Sequence, residues 1–585
     1  MKKIILVFLI LYVQSYSFDH CVKLFSNEKL LQSYQCFKKI NKDHPLYSYG
    51  LYFRILIDSF YEREISYINE LENFKNTAIY SYTYLYLASI HRFKNPEKAF
   101  SEFKKIDKDA ILRDDLPFYH YLKMDLLKRL GKNYKEVEKK LATEYPYNRF
   151  YGFKILIEKI DKLLEKDIYK AVDSLISKRM YKRALQILEK AKDTDRKNLY
   201  KAVLYGSLRK FDRAFSYVLI LPEDYRAKAS YRLIRLNPPY HIQTALFQIL
   251  KETKNRDLII KAADLIMKRA FYRGKEEDFH YFSLFIPKKS PLYSDVVWYR
   301  FLGKYMKNKE KAGYYLEKNE RFFKQKDRVY YWLYLSFKNS DRKKASKYLK
   351  KTASLKEHTF YVIRAREKLN KKLFNISDPP AKEEKSLIML KLLKDSMYKF
   401  AYIEGKYYLK KKKDINSLAS VMPELTARFF SNKYKISFLS HPKPFKTEKS
   451  NFVYAVMRRE SFFDPYAVSV SNAVGLMQII PPTAKWIAKV RNDRKFDITQ
   501  LFIPEKNIDY GRWYINYLMK KFKKNIFYVM ASYNCGETNV RRVLKKYKIK
   551  EPEEFIEFLP FRETRYYVKY VYTNFIAYKN IYKGN

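Results

Sequence analysis

The sequence predicts an all-α protein, and three features of its composition lead to this prediction. Glycine and proline contribute only 12 and 20 of the 585 residues, well under their average usage of about 12%, so few tight corners are available for a β-rich fold. The chain is instead crowded with lysine, leucine, isoleucine and glutamate, which suit helices joined by short polar loops. Hydrophobic residues make up 47% of the chain, which excludes a disordered protein.

The first 17 residues have the pattern of a secretory signal peptide. Lys2 and Lys3 form a basic start, Ile4–Val13 is an apolar run, and Ser15 and Ser17 give a small-x-small cleavage pattern. The run is too short for a spanning helix, which needs about 20 residues. The pattern therefore predicts export to the periplasm and no membrane span in the mature form, with a buried N-terminal helix as the alternative.

The three cysteines lack the C-x-x-C spacing of a zinc site. In an oxidising compartment Cys21 and Cys36 would form a disulfide, and a reduced, buried pair is equally compatible with the sequence. Cys535 would then be left over.

The formal net charge of +56 suggests a polyanionic partner, and nucleic acid is the usual candidate. The basic residues are spread evenly along the chain rather than gathered in a patch, and an exported protein seldom meets nucleic acid. We therefore expect no nucleic-acid partner and interpret the charge as a solvated helical surface.

Residues 18–376 repeat a helix-hairpin pattern, with apolar residues at the i, i+3, i+4, i+7 spacing of one buried helix face. The repeated positions are Tyr181, Ala184, Leu185 and Leu188, followed thirty positions later by Phe211, Ala214, Phe215 and Val218. Hairpins of about tetratricopeptide length cannot bury their faces alone and stack into a solenoid. The pattern predicts an N-terminal helical superhelix, whose surface could recruit protein partners in the envelope.

Two proline-containing stretches divide the rest of the chain, because proline cannot continue a helix. They are Ser377-Asp378-Pro379-Pro380 and Ser440-His441-Pro442-Lys443-Pro444-Phe445. They delimit a small helical linker domain over 381–445 and a C-terminal domain over 446–585.

Glu460 closes an apolar helical segment, residues 452–461, that Asp464-Pro465 terminates. A carboxyl group there could lie in a partly apolar cleft, where desolvation would raise its pKa as a general acid requires. Taken alone the indication is weak, since a glutamate after two arginines is usually an ion-paired surface residue.

Five motifs in fixed order strengthen the indication. They are Glu460-Ser461; Gly475-Leu476-Met477-Gln478; Asn507 with Gly511 and Tyr514; Tyr533-Asn534-Cys535-Gly536; and Glu563-Thr564-Arg565 with Tyr567-Val568. This order resembles the lysozyme-like catalytic domain of the soluble lytic murein transglycosylases over residues 446–585. The resemblance extends loosely upstream, because the large soluble type carries a ring-shaped superhelix and a linker domain.

The resemblance implies a peptidoglycan substrate and a reaction with one carboxylate instead of the pair that glycosidases usually use. Glu460 would protonate the oxygen between N-acetylmuramic acid and N-acetylglucosamine. As a carboxylate it would then accept the proton of the C6 hydroxyl, which closes a 1,6-anhydro ring while the acetamido group supports the cationic centre. We expect no cofactor and no metal site.

The resemblance also implies roles for other residues. Tyr533 matches the tyrosine whose hydroxyl reaches the catalytic carboxyl, unless it is a core tyrosine. Ser469 and Gln478 would line the cleft and bind sugar groups, and Met477 and Asn534 are assigned to substrate binding with them.

Two acidic residues have alternative interpretations. Glu563 could stabilise Tyr533 or bind substrate, or it could be a structural partner of Arg565. Asp464 could be a second carboxylate, but beside Pro465 it is better interpreted as a turn residue.

The sequence departs from the family pattern at three positions. Asn472 stands where relatives often have glycine and tolerates the same positive φ. Cys535 replaces a usual alanine, and Ile480 a common methionine.

Competing functions are a non-catalytic peptidoglycan-binding scaffold of the envelope and a hydrolytic muramidase.

Overall fold

The computed structural model describes residues 18–374, 376, 387–394, 397–411, 415–431, 436, 438–445 and 448–582. The predicted signal peptide and the first proline stretch, 377–380, lie outside these residues.

The described residues form 32 α-helices, which confirms the predicted all-α fold. In chain order they are α1 Asp19–Ser26, α2 Leu30–Lys38, α3 Tyr47–Phe60, α4 Ala78–His91, α5 Pro96–Lys104, α6 Leu116–Arg129, α7 Lys135–Glu144, α8 Gly152–Lys159, α9 Glu165–Ser177, α10 Tyr181–Leu188, α11 Asp195–Ser207, α12 Phe211–Leu219, α13 Glu223–Arg235, α14 Tyr240–Glu252, α15 Arg256–Arg273, α16 Glu276–Ser283, α17 Tyr293–Lys307, α18 Lys309–Lys318, α19 Lys326–Phe337, α20 Arg342–Ala353, α21 Phe360–Lys368, α22 Leu387–Lys394, α23 Tyr398–Lys410, α24 Ile415–Val421, α25 Pro423–Ser431, α26 Asn451–Glu460, α27 Pro481–Val490, α28 Pro504–Lys521, α29 Ile526–Cys535, α30 Glu537–Lys546, α31 Pro552–Phe558 and α32 Arg562–Ile581. Short 3-10 helices span Ile68–Phe74, Lys108–Ala110, Ile160–Lys162, Glu320–Phe322, Phe438–Ser440 and Ile498–Phe502.

Helices α1–α21 pack mainly against the next one or two helices along the chain and form the solenoid. In α12 the predicted apolar face is buried at Phe211, Ala214 and Val218, with Phe215 half-buried beside them. Each hairpin covers the face of the next, as stacking repeats must to bury a continuous core.

The linker helices α22–α25 return to the first helices of the solenoid, so its two ends are joined. The Glu404 carboxylate on α23 accepts hydrogen bonds from the Tyr49 hydroxyl at 2.7 Å and from the backbone amides of Ala78 and Ile79 at 2.8 and 3.1 Å. A carboxylate suits this place because the first amides of α4 have no partner within their helix. The chain therefore closes into a ring.

The sulfur atoms of Cys21 and Cys36 are bonded, and the Cα atoms lie 5.3 Å apart. Of the two states that the sequence left open, the structure has the disulfide, which joins α1 to α2. Cys535 is free.

A continuous hydrophobic core runs from the second half of the solenoid into the C-terminal helices. Helix α26 lies inside this core, and residues 452–458 of it are buried. Helix α32, the longest helix of the C-terminal part, lies beside α26. Across the described residues, no helix has both the length and the apolar character needed to cross a bilayer.

Candidate active site

Glu460 is the last residue of α26, as its sequence pattern predicts. The Ser450 hydroxyl caps the start of the helix by accepting from the Val453 amide at 3.4 Å. Just after its end, Phe462 and Phe463 both have positive φ, 51° and 64°, and turn the chain away sharply. The glutamate side chain is thus held at a rigid helix end, only partly exposed.

Residues 467–479 form a compact hairpin loop next to this helix end. Isolated bridges join Val474 to Val468 and to Ile479. Gly475 has φ 74°, and a Cβ there would lie 2.3 Å from the Asn507 amide nitrogen, so the position requires glycine. Asn472 has φ 60°, which confirms its expected conformation.

Asn507 ties the hairpin loop to α28 with three hydrogen bonds from one fully buried side chain. Its Oδ1 accepts from the Met477 amide at 2.8 Å, and its Nδ2 donates to the Val474 and Leu501 carbonyls at 3.0 and 2.8 Å. The motif residues Asn507 and Gly475 are therefore one structural unit.

Tyr567 on α32 is the tyrosine that contacts Glu460. Its buried hydroxyl donates to Glu460 Oε1 at 2.7 Å. The expectation that Tyr533 makes this contact is wrong, because the Tyr533 hydroxyl donates to the Met477 carbonyl at 2.9 Å. Tyr533 is still a neighbour, since the pKa of its hydroxyl is raised well above 10 by burial and by the Glu460 charge.

Burial is the largest influence on Glu460 and raises the pKa of its carboxyl to about 7. The Tyr567 hydrogen bond and the Arg459 charge oppose this rise, and the Glu563 charge adds to it. The carboxyl group can therefore be held either protonated or ionised near neutral pH, as a group that gives and then takes a proton must be.

Comparison with known proteins adds to this geometry. Residues 445–556 match the family model described as the transglycosylase SLT domain. Residues 445–556, which include Glu460, are thus similar to that domain family.

Curated relatives match about a quarter of the chain. The soluble lytic murein transglycosylase of Salmonella typhimurium is 35% identical over 140 residues, which are 24% of this chain and 21% of that protein. The soluble lytic murein transglycosylase of Escherichia coli is 36% identical over 135 residues, which are 23% of this chain and 20% of that protein. The match thus spans about a fifth of the length of these relatives.

Solved structures are similar over nearly the whole chain. The 70 kDa soluble lytic transglycosylase of Escherichia coli has a TM-score of 0.62 at 15% identity and covers 96% of both chains. A lytic transglycosylase of Pseudomonas aeruginosa, solved as an inactive mutant, has a TM-score of 0.56 at 17% identity and covers 97% of both. At these identities the likeness shows the fold, and it extends over nearly the whole chain.

Met477 of the SLT domain does not line the cleft, and its assignment to substrate binding is wrong. Its side chain is fully buried and fills the space beside Gly511, where an added Cβ would lie 2.6 Å from Met477 Cγ. The glycine of the third motif makes room for the methionine of the second.

Ser469 and Gln478 support the hairpin loop. Ser469 Oγ accepts from the Ala473 amide at 3.0 Å and from the Ser471 amide at 3.2 Å. Gln478 Nε2 donates to the Ala467 and Gly475 carbonyls at 3.0 and 2.9 Å. Both amide hydrogens of Gln478 are thereby used, so sugar binding by this side chain, which stays a prediction, would use its oxygen.

Three further predicted positions have defined surroundings. Asn534 Oδ1 accepts from the Thr564 hydroxyl at 2.7 Å. Glu563 is exposed, while Arg565 donates to the Leu559 carbonyl at 2.6 Å and to a solenoid tyrosine. Within the residues that the structure describes, Arg565 therefore forms no ion pair with Glu563, and the structural-partner interpretation is wrong.

Asp464 lies in a turn, where its Oδ1 accepts from the Tyr466 amide at 2.9 Å and its Oδ2 accepts from the Tyr402 hydroxyl of the linker. The turn interpretation therefore matches the structure. Both carboxylate oxygens accept a hydrogen bond, which favours the turn interpretation over that of a second catalytic carboxylate.

Two residues at the site, Tyr567 and Arg459, have no role among the expectations drawn from the sequence. Tyr567 was within reach of sequence reasoning, because it lies in the last motif. The Arg459 guanidinium lies 5.8 Å from the ring centres of both Tyr567 and Tyr570, and its only sequence signal is its position before Glu460.

Proposed function

We propose that this protein is an exported lytic transglycosylase that cleaves the β-1,4 bond between N-acetylmuramic acid and N-acetylglucosamine of peptidoglycan without using water. The observation that carries the proposal is the partly exposed Glu460, whose carboxyl has a pKa raised to about 7 by burial and accepts a hydrogen bond from Tyr567. Glu460 lies within the residues that match the transglycosylase SLT domain. The names of the curated relatives support the same substrate.

The first step uses the protonated acid. Tyr567 donates to Glu460 Oε1, so the transferable proton resides on Oε2. It passes to the glycosidic oxygen, the bond from that oxygen to the muramic C1 breaks, and the N-acetylglucosamine side leaves as an alcohol. The acetamido group of the substrate supports the positive charge that develops at C1.

The second step uses the same residue as a base. The C6 hydroxyl of the muramic residue attacks C1, its proton passes to the Glu460 carboxylate, and the acid is restored. Tyr567 stabilises the ionised form between the two steps. The two steps together consume no water, and the product carries a 1,6-anhydro ring.

The surroundings of Asp464 and Glu563, the two acidic residues that could supply a second carboxylate, support a mechanism with one carboxylate. A retaining glycosidase needs a second carboxylate about 5 Å from the first. Asp464 is engaged at both oxygens by Tyr402 and Tyr466, and Glu563 is exposed to solvent.

Export and a periplasmic location complete the proposal and depend on the pattern in residues 1–17. N-terminal sequencing of the protein purified from the periplasm tests this part. A mature chain beginning at or near Phe18 is expected, and an intact Met1 would contradict export.

The test of the activity is digestion of purified peptidoglycan sacculi, with the products identified by mass spectrometry. We expect 1,6-anhydro products, whereas products heavier by one water would identify a muramidase. Glu460→Gln removes the transferable proton and keeps the shape, so product release should fall at least about a thousandfold. Glu505→Gln, an exposed position on α28, is the matched control. Sacculus binding without product from the parent would indicate a scaffold.

A further inference from the structure

Helix α32 has two opposite faces with different partners. At 3.6 residues per turn, Arg565, Lys569 and Tyr572 lie on one side of the helix. Glu563 and Tyr567 lie about 200° around the axis from Arg565, on the other side. The second side faces Glu460, since Tyr567 donates a hydrogen bond to Glu460 and the charge of Glu563 raises the Glu460 pKa. The first side faces the solenoid.

The first contact along this side of α32 is made by Tyr272, at the end of solenoid helix α15. Arg565 Nη1 donates to the Tyr272 hydroxyl at 2.7 Å, and that hydroxyl donates to the Glu557 carbonyl at 2.9 Å. Arg565 Nη1 also donates to the Leu559 carbonyl at 2.6 Å. Tyr272 thus holds both α31 and the first turn of α32.

A buried charge cluster continues the contact one turn further along. Glu557 is 2% exposed and accepts from Lys569 at 2.6 Å and from the solenoid residue Tyr361 at 2.7 Å. Burial acts to raise the Glu557 pKa, but the charges of Lys569, Arg328 and Arg565 lower it to about 2. Arg328 belongs to the solenoid, so cations of both parts share this carboxylate.

The end of this face is fixed by solenoid helix α21. The Tyr572 hydroxyl donates to Glu367 at 2.7 Å and accepts from Arg364 at 3.0 Å. Arg364 also donates to the fully buried Glu553 at 2.8 Å, which accepts from Tyr331 at 2.9 Å. Hydrogen-bonded charges in a buried interface restrict its geometry to one arrangement.

We propose that the solenoid is part of the catalytic apparatus, with Tyr272 as a positioning residue that holds Arg565 and thereby the orientation in which α32 presents Tyr567 to Glu460. The catalytic role of Tyr272 in this inference rests on the proposed function. The coupling itself is a property of the folded chain and can be measured without turnover.

Loss of the Tyr272 contacts changes the Glu460 pKa through the hydrogen bond that Tyr567 donates to Glu460. The groups that influence the Glu460 charge are Arg459 on its own helix, Tyr567 and Glu563 on α32, and Tyr533 on α29. The Tyr567 bond lowers the Glu460 pKa. When α32 is less well held, that bond is weakened, and the Glu460 pKa rises.

The experiment compares four proteins: the parent, Tyr272→Phe, Tyr567→Phe and the double variant. One measurement is the pH midpoint of carbodiimide labelling at Glu460, mapped by mass spectrometry, which reports its protonation without turnover. The other is the alkaline limb of kcat against pH with sacculi as substrate.

Tyr567→Phe is expected to raise the labelling midpoint and the midpoint of the alkaline limb by about one pH unit each. Tyr272→Phe is expected to raise both by about half of that and to lower kcat several-fold. The double variant should match Tyr567→Phe, because Tyr272 acts through that hydroxyl. Midpoints for Tyr272→Phe equal to the parent's, or additive shifts in the double variant, would overturn the inference.

Two further variants separate positioning from general damage. Tyr330→Phe removes a hydroxyl bonded to Glu320 at 2.8 Å within the solenoid, and it should change neither midpoint. Arg565→Lys keeps a positive charge near Glu557 but loses Nη1, the nitrogen that donates to both Tyr272 and Leu559. It should reproduce the shift of Tyr272→Phe even if the latter folds poorly. A parent that releases no product would defeat the proposed function, while the labelling midpoints still decide the coupling.

Discussion

The Tyr567 hydroxyl lies 2.7 Å from Glu460 Oε1, although 107 positions separate the two residues in the chain. One residue ends α26 and the other follows the first turn of α32, so the packing of these two helices determines the contact. Since the tyrosine is 2% exposed, its hydroxyl is desolvated, and a hydrogen bond to the charged carboxylate is worth more there than in water.

Replacing Tyr567 by phenylalanine tests this relationship. The ring remains and only the donor is lost, so the carboxylate formed after the first proton transfer is less stabilised. We expect kcat on sacculi to fall by about ten- to a hundredfold. The matched control is Tyr566→Phe on the exposed side of the same helix. Equal turnover by the parent and Tyr567→Phe would exclude a role for the hydroxyl.

Glu563 should set the upper pH limit of activity. Its charge raises the Glu460 pKa, and the first step needs the protonated acid. Glu563→Gln removes that charge, the Glu460 pKa falls, and the alkaline limb of kcat moves to lower pH by roughly half a unit. Activity below pH 6 should hardly change. A limb that stays in place or moves to higher pH would contradict this account, and raised salt should shrink the parent–variant difference.

Local periodicity was sufficient to predict the helices and the position of Glu460. The face of α12 and the helix end at Glu460 follow from spacings of a few residues, and Asn472 takes positive φ because its own side chain tolerates it. These features depend on neighbours in sequence, which a single chain displays directly.

The contacts that complete the site depend on packing between distant segments. Tyr533 and Tyr567 both lie in motifs, and only the rotation of α32 against α26 decides which hydroxyl reaches Glu460. Met477 has a sequence position typical of a cleft residue, yet Gly511 opens a space that buries it. The closure of the ring through Glu404 joins residues more than 300 positions apart, and no local pattern reports such a contact.

Asn507 is expected to be the most sensitive polar residue of the hairpin loop. Asn507→Ala leaves the Met477 amide and the Val474 and Leu501 carbonyl groups without their buried partner, and each unsatisfied group costs about 1–3 kcal/mol. We expect the free energy of unfolding of the C-terminal part to fall by about 3 kcal/mol, measured by urea denaturation. Asn516→Ala, an exposed position on the same helix, should change it by less than about 0.5 kcal/mol. Equal losses for the two variants would show that the loop does not depend on this side chain.

The disulfide between Cys21 and Cys36 should stabilise the closed ring without acting on the chemistry. The bond closes a loop of 15 positions, and a loop of that size contributes about 3 kcal/mol by restricting the unfolded chain. Phe18, Val22 and Phe37 near it share one hydrophobic core with Met389, Phe400 and Met422 of the linker. Reduction should therefore loosen the seam between α1–α3 and α22–α24 first. We expect the Cys21→Ser, Cys36→Ser double variant to have a lower Tm and faster amide exchange in these helices, with kcat at 25 °C within twofold of the parent. Cys535→Ser, which breaks no bond, is the control, and exchange that rises first around Glu460 instead would contradict a role confined to the seam.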